Sequence, residues 1–328
     1  MHNFLRKVHS IARKNPRKIV FPEGTEERIL KATEEILEKK IAIPILVGNP
    51  KTIKNNAKKL KLKIDFSKVE IYDNKRSKLL KEFTKTFYEL RKHKGISKKQ
   101  AAEIVKDMNY FGTMMVYMDL ADGMVTGTTF PTDDSIRPAL QIIKTEEKFH
   151  KVSGIFFMVL EKRLLLFADA AITINPNSHD LVDIAVDTAE TAKKFGIKPR
   201  VAMLSFSTKG SADHPLVDKV QEAVRMLKYE RPDIIVDGDL QVDAALVPKV
   251  AKKKCPKSPI QGDANILIFP DLQSANIAYK LVERLAKAKA IGPLLQGLKK
   301  PVNDLSRGCS YQDIVNVTAF TVCESLET

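Results

Sequence analysis

The stretch "RVAMLSFSTKGSADHPLVDKVQEAVRMLKYERPDIIVDGD", residues 200–239, decides the fold. It opens on an apolar run of strand length, "RVAMLSFS". A polar loop, "TKGSADHP", follows, and then "LVDKVQEAVRMLKYE", whose apolar residues recur at helical spacing. "DIIVDGD" returns to a short apolar run. Strand, helix, strand within forty residues predicts a parallel pair joined by a helical crossover. The same alternation extends outward in both directions. Toward the N-terminus, "KIVFPEG" (18–24), "IPILVGN" (43–49), "VEIYD" (69–73), "ADGMVTG" (121–127), "SGIFFMVL" (153–160) and "LLLFADAAIT" (164–173) read as strands. "EERILKATEEILEKK" (26–40) and "SHDLVDIAVDTAETAKKFG" (178–196) read as helices, and "RPALQIIKT" (137–145) as a helix with Pro138 in its first turn. Toward the C-terminus, "VDAALVPKVAKK", "ANILIFPD" and "SANIAYKLVERLAKA" continue helix, strand, helix. The pattern predicts an α/β protein with largely parallel sheets. A chain of 328 residues is long for one core, so two α/β domains are expected.

Composition excludes several classes. With 44% apolar and 29% charged residues the chain has an ordinary globular balance. No apolar run reaches the ~18 residues of a membrane span. The N-terminus "MHNFLRKVHSIARKNPRK" lacks the apolar core of a signal peptide. It reads as a basic amphipathic helix with Phe4, Leu5, Val8, Ile11 and Ala12 on one face. A transit peptide fits the same pattern, but a surface helix is the simpler reading. Three cysteines, Cys255, Cys309 and Cys323, cannot build a disulfide framework, and no metal-ligand spacing is present. A reducing, cytoplasmic setting without structural metal is therefore expected. The net charge of +15 sits in the first third: residues 1–100 hold 27 Lys/Arg and 11 Asp/Glu, and the remainder 28 and 29. These lysines lack aromatic interleaving or a recognised reader motif, so they are expected to form solvated faces and not a nucleic-acid surface. The positive field would still draw in anionic substrates.

In a parallel α/β sheet, ligands gather beyond the carboxyl ends of the strands. The loops there are "PEGTEER", "TGTTFPTDDS", "SFSTKGSADH", "DGDLQVD" and "FPDLQSAN". Their Gly, Ser and Thr residues offer donors suited to phosphate, although such loops also serve as plain tight turns. Thr126 and Thr128 in the second loop and Lys209 in the third are candidate substrate-binding residues. Neither a Walker A loop nor G-x-G-x-x-G is present.

"DLSRGCSYQDIVN", residues 304–316, carries the densest chemistry. Ser310 and Asp313 fit a capping box ahead of a helix with Ile314, Val315, Thr318, Ala319, Val322 and Leu326 on one face. Gly308 would allow a sharp turn into it. The same residues also form the parts of a phosphate-dependent transfer. The helix N-terminus attracts an anion, Arg307 supplies a planar fork, Ser306 a hydroxyl donor and Asp313 a carboxylate base. Ser310 can cap while Asp313 turns its carboxylate toward substrate. Cys309 is the alternative nucleophile, but a free cysteine more often behaves as a small hydrophobe.

These segments together resemble the phosphate acetyltransferases (phosphotransacetylases) of the phosphate acetyl/butyryltransferase family. The resemblance runs in family order from "RKIVFPEG" through "ADGMVTG", "RPALQIIKT", "FADAAITINPN", "RVAMLSFSTKGSA" and "RPDIIVDGDLQVDAALVP" to "PVNDLSRGCSYQDIVN", nearly the whole chain. "NDLSRGCS" favours the acetyl over the butyryl enzymes. The resemblance implies reversible acetyl transfer between acetyl phosphate and coenzyme A, giving acetyl-CoA and phosphate. CoA is a co-substrate, and no resident cofactor or metal is implied. It further implies a homodimer of cytoplasmic subunits and a fold similar to the isocitrate and isopropylmalate dehydrogenases. One domain spans residues 1–145 plus 296–328 and the other 146–295, with a cleft between them. Asp313 stands at the family's proposed base for the CoA thiol, Ser306 at the serine proposed to stabilise the transition state, and Arg307 at the arginine that meets acetyl phosphate. Cys309 matches a nearby cysteine that is not the nucleophile. Arg137 matches an arginine of the phosphate site, and Arg91 one that contacts CoA. One departure stands out. Where the family often has a Gly-Ala-Thr-His-Thr/Ser-type loop, this chain reads "GTTFPT", with Phe130 and Pro131 at the positions of a histidine and a hydroxyl residue.

Two rival functions follow from weaker signals. A hydride-transferring dehydrogenase would share the fold but needs a nicotinamide site and, in the decarboxylating families, a carboxylate cluster for a divalent metal, and neither is evident. A nucleic-acid-binding module would rest on the basic first third alone.

Overall fold

The structure, a computed structural model, describes residues 2–145 and 151–326. In chain order, the first part contains α1 (His2–Lys14), β1 (Lys18–Phe21), α2 (Glu27–Glu38), β2 (Ile43–Val47), α3 (Pro50–Lys59), β3 (Glu70–Tyr72), α4 (Leu80–Arg91), α5 (Lys98–Ile104), α6 (Met108–Tyr117), β4 (Gly123–Val125) and α7 (Thr132–Ile142). The middle holds β5 (Ser153–Val159), β6 (Leu164–Ala168), α8 (Ser178–Lys194), β7 (Arg200–Leu204), α9 (Pro215–Glu230), β8 (Ile235–Leu240), α10 (Val242–Leu246), α11 (Pro248–Lys254), β9 (Ile266–Ile268), α12 (Leu272–Leu285) and β10 (Lys289–Gln296). β11 (Val302–Asn303) and α13 (Tyr311–Ser325) complete the chain. Two compact units divide the described residues: 2–145 with 298–326 form one, and 151–297 the other.

The first unit has a five-stranded sheet in the order β11-β4-β1-β2-β3, parallel throughout. Ile19, Val20 and Phe21 of β1 and Ile45, Leu46 and Val47 of β2 are all buried. Such continuous apolar runs are what a parallel sheet covered on both faces requires. α13 packs on α1, α2 and β4. Its sequence reads as amphipathic, yet Ile314, Val315, Val317, Thr318, Ala319, Phe320, Thr321 and Val322 are all buried. The reason lies outside the helix: α1 and α2 cover the face that the sheet leaves open. The basic N-terminal helix is accordingly a packed element, with Leu5, Val8 and Ala12 buried and Phe4 edge-on to Phe320.

The second unit has a six-stranded sheet in the order β10-β5-β6-β9-β7-β8. β6-β9, β9-β7 and β7-β8 are parallel, which includes the pair predicted from residues 200–239. β5 is antiparallel to both β6 and β10. The β5–β6 connection closes with Leu160 N–H donating to Arg163 C=O, and it is too short to hold a crossover helix.

Two local readings need correction. α7 starts at Thr132 and not beside Pro138, so the proline lies inside the helix. Pro138 has no N–H for the Asp134 carbonyl four residues earlier. Asn109 Nδ2 lies 3.4 Å from that carbonyl and offers it a donor, which helps explain why the helix continues. Gly308 does not adopt a left-handed conformation, and a Cβ there would meet only the Ser306 hydroxyl at 3.8 Å. The turn into α13 is made instead by Gly308 N–H donating to Ser306 Oγ (3.3 Å) and Cys309 N–H to Ser306 C=O (2.9 Å).

Candidate functional site

The turn after β1 organises the site. Glu23 is buried at the carboxyl end of that strand, and its carboxyl collects the N–H groups of Gly127 (3.0 Å), Thr128 (3.2 Å) and Thr129 (2.6 Å). Thr129 adds its hydroxyl at 2.8 Å. One side chain thereby holds the loop between β4 and α7. Gly127, at φ +98°, is required there: a Cβ would lie 2.0 Å from Asp304 Oδ1. Thr126 and Thr128 are both buried, and the Thr126 hydroxyl lies 2.6 Å from Asn109 Oδ1. These threonines shape the loop from inside, and Thr129 is the exposed one of the three, with its hydroxyl committed to Glu23.

Arg28, in the first turn of α2, joins this loop to the segment before α13. Nη2 donates to Thr128 C=O (2.8 Å), and Nη1 to Arg307 C=O (2.8 Å) and Cys309 C=O (3.1 Å). Nε binds Glu26 at 2.7 Å, which fixes the plane of the guanidinium. A planar fork reaching three carbonyls is a geometry that lysine cannot reproduce. Arg28 and Glu23 both lie in "PEGTEER", noted as a strand-end loop. Nothing within the loop could show partners 100 and 280 residues away.

Ser306, Arg307 and Ser310 are exposed on the segment so held, and Asp313 is half-buried. Among the described residues no acid pairs with the Arg307 guanidinium. The capping box is present in full. Ser310 Oγ accepts from Asp313 N–H (3.2 Å), and Asp313 Oδ2 accepts from Ser310 N–H and Oγ–H (both 2.8 Å). The division of labour between Ser310 as cap and Asp313 as base is therefore not what this state shows: Asp313 bends back into the box with one oxygen and leaves Oδ1 as its other acceptor. The Cys309 thiol is pushed up to about 12, first by burial, and the nearby Arg28 only partly offsets this. Such a thiol is a poor nucleophile at neutral pH.

Arg137 and Arg91 belong to a second group on the same unit. Arg137 lines a cavity of about 330 Å³ with Ile104, Asp107, Asn109, Tyr110, Phe130 and Asp134. Phe130 is half-buried and forms part of its wall, so it is not a core residue. Burial raises the Tyr110 phenol above its usual range, while the charges of Arg137 and Arg91 act on it in the opposite direction. Both arginines are thus within electrostatic reach of one tyrosine. The Arg137–Asp134 pair, 3.5 Å apart and exposed on both sides, is too weak to commit Arg137.

Lys209 lies in the other unit. Its Nζ contacts Asp237 Oδ1 (2.5 Å) and Gly238 C=O (2.9 Å), so its charge is met within its own loop and sheet. Among the described residues no group of three or more His, Cys, Asp or Glu side chains is arranged to hold a metal ion.

Comparison with known proteins identifies the family. Residues 3–322 match the family described as phosphate acetyl/butaryl transferase. A phosphate acetyltransferase of Thermoanaerobacterium thermosaccharolyticum is 51% identical over 98% of this chain and 99% of its own length. A phosphotransacetylase from Streptococcus pyogenes superposes with a TM-score of 0.94 at 43% identity, covering 100% of this chain and 99% of that one. A 4-hydroxythreonine-4-phosphate dehydrogenase from Burkholderia phymatum, 13% identical with a TM-score of 0.55 over 95% of this chain and 96% of its own, shares the fold alone.

Proposed function

The chain belongs to the phosphate acetyl/butaryl transferase family and is a transferase, and from that premise we propose that it interconverts acetyl phosphate and acetyl-CoA by direct attack of the CoA thiol. The observation that carries the mechanism is the short segment from Ser306 to Asp313. It exposes Ser306, the Arg307 cation and Ser310, and it is tied by Arg28 to the Thr126–Thr129 loop.

A thiol of pKa ~8.5 is mostly protonated at neutral pH, and the thiolate is the nucleophile. In this reading Asp313 takes that proton on Oδ1, the oxygen its capping box leaves over, an effect worth roughly 10²–10⁴-fold. The sulfur–carbon bond forms at the acetyl carbonyl, and the carbon–oxygen bond to phosphate breaks. Ser306 and the N–H groups at the start of α13 can receive the charge on the carbonyl oxygen, at about 3–4 kcal/mol per good donor. Arg307 offsets the charge of the departing phosphate. The raised thiol of Cys309 argues against a covalent acetyl-cysteine route. Arg137 is read as a contact for the phosphate substrate and Arg91 as one for CoA, and the electrostatic reach of both to Tyr110 supports keeping the two anionic groups close together. With cationic side chains supplying the charge, this chemistry calls for no resident cofactor.

A homodimer is part of the same reading. Its support is an exposed apolar stripe on α12, Ile277, Leu281 and Leu285, at four-residue spacing. Three free cysteines suit a reducing, cytoplasmic compartment, and no helix among the described residues is long and apolar enough to cross a membrane. The test of function is a coupled assay for acetyl-CoA from acetyl phosphate and CoA without added metal. Product at enzymatic rates supports the reading, and none from folded protein sinks it.

A further inference from the structure

We propose that Asp304 is a positioning residue for acyl phosphate recognition, and that its charge state sets how well the Ser306–Arg307 segment accepts an anion. This rests on the acyl phosphate reading above. Asp304 follows β11 and stands two residues before Ser306, only 1% exposed. Its Oδ1 has no hydrogen-bond partner among the described residues and faces Gly127, the point at which the β4–α7 loop comes closest. An ionised carboxylate with an unmet oxygen in such a place carries a large desolvation cost.

Among the described residues the groups that act on Asp304 are polar, and no cation pairs with it. The turn after β1 presents Glu23, whose charge opposes ionisation of Asp304. α7 presents the hydroxyls of Thr132 and Ser135, while the acids of its first turn, Asp133 and Asp134, are exposed. The Leu305 N–H is the remaining donor. Arg28 is the nearby cation of the site, but its guanidinium is committed to Glu26 and three carbonyls. Burial raises the Asp304 carboxyl to about 7; the Ser135 and Thr132 hydroxyls and the Leu305 N–H oppose the rise, and Glu23 adds to it. Asp304 therefore changes charge in the neutral range. Below it, a neutral carboxyl joins three elements without repelling the substrate. Above it, a second buried negative charge appears beside Glu23, close to where a phosphate dianion is to bind. The sign follows: affinity for the anion falls as pH rises.

Calorimetric titration with acetyl phosphate, which stays dianionic across this range, tests the idea apart from turnover. In wild type the Kd should weaken about tenfold between roughly pH 6 and 8. In Asp304→Asn, which keeps the shape without the charge, the Kd should be flat. Parallel slopes in the two proteins, or no binding of acetyl phosphate, overturn the proposal. Carbon-13 NMR of aspartate-labelled wild type provides a measurement that does not depend on the variant folding. A carboxyl titrating near neutrality supports the proposal, and its absence overturns it. Binding that follows the predicted pH course with no acetyl-CoA formed would instead refute the transfer reaction and leave the role of Asp304 standing.

Discussion

Two loops of this molecule look alike in sequence and differ in what they leave available. "SFSTKGSADH" and "DLSRGCS" each follow a strand and each offer serines, a glycine and one cation. In the first, Lys209 binds Asp237, which also binds Lys228 at 2.8 Å. Burial pushes the Asp237 carboxyl up, but the two ammonium groups outweigh it and hold the group below the usual carboxylate range. In the second, Arg28 binds the backbone of the loop and leaves the Arg307 side chain without an acid partner among the described residues. One loop spends its cation on its own sheet, and the other keeps it exposed. Residue type marks both as anion sites, whereas the location of the nearest buried carboxylate separates them.

The most severe way to break the second loop is Asp313→Asn. It should lower kcat by roughly 10²–10⁴-fold. An asparagine oxygen still accepts from Ser310, so the melting temperature should hold nearly constant. A cap-only role for Asp313 predicts the reverse, and kinetics and melting curves on one preparation distinguish them. Next in size is Arg28→Lys, which keeps the charge but cannot reach three carbonyls. A drop in kcat/KM of about 10–100-fold is expected from losing charge-assisted hydrogen bonds of ~1.5–3 kcal/mol. An unchanged value would show that the loop is held without it.

The comparison itself is tested by matched substitutions. Arg307→Gln should raise KM for acetyl phosphate about tenfold or more, on the scale of a lost charge-assisted contact. Lys209→Gln should leave both KM values within about threefold and cost about 1 kcal/mol of stability, because Lys228 still covers Asp237. Equal kinetic losses in both would erase the distinction between the loops. The smallest effect belongs to Phe130→His. One methylene against an apolar wall is worth at most ~0.8 kcal/mol, so the propionyl-to-acetyl ratio of kcat/KM should fall by no more than about fourfold. A constant ratio would place the Phe130 wall away from the acyl group.

The sequence is most legible where the information is local. The strand–helix alternation, the parallel pair at 200–239 and the Ser310–Asp313 box each depend on residues within one turn or one crossover, and all appear as read. The start of α7 is not legible locally, because its helix runs through Pro138 and one donor for the carbonyl that Pro138 leaves without a partner comes from Asn109, on another helix. α13 reads as one-sided in sequence, whereas α1, from the opposite end of the chain, supplies its second cover. Glu23, Arg28 and Asp304 are not legible in the sequence for a related reason. Their importance lies in which loops they join, and neither composition nor spacing encodes such a junction.

The late position of β11 and α13 has a consequence for biosynthesis. When a nascent chain has emerged through β10, every strand of the six-stranded sheet has been made. The five-stranded sheet still lacks its edge strand, although its other four strands were synthesised first. Gly123 of β4 awaits α13, whose Thr321 methyl comes within 2.7 Å of where a Cβ would stand. Translation is therefore expected to finish the middle of the protein before its beginning, with the first-made sheet held partly uncovered until the last helix arrives. The Ser306–Asp313 segment is delivered in that closing step. A ribosome stalled anywhere upstream carries no working copy of the site, however much of the fold is already in place.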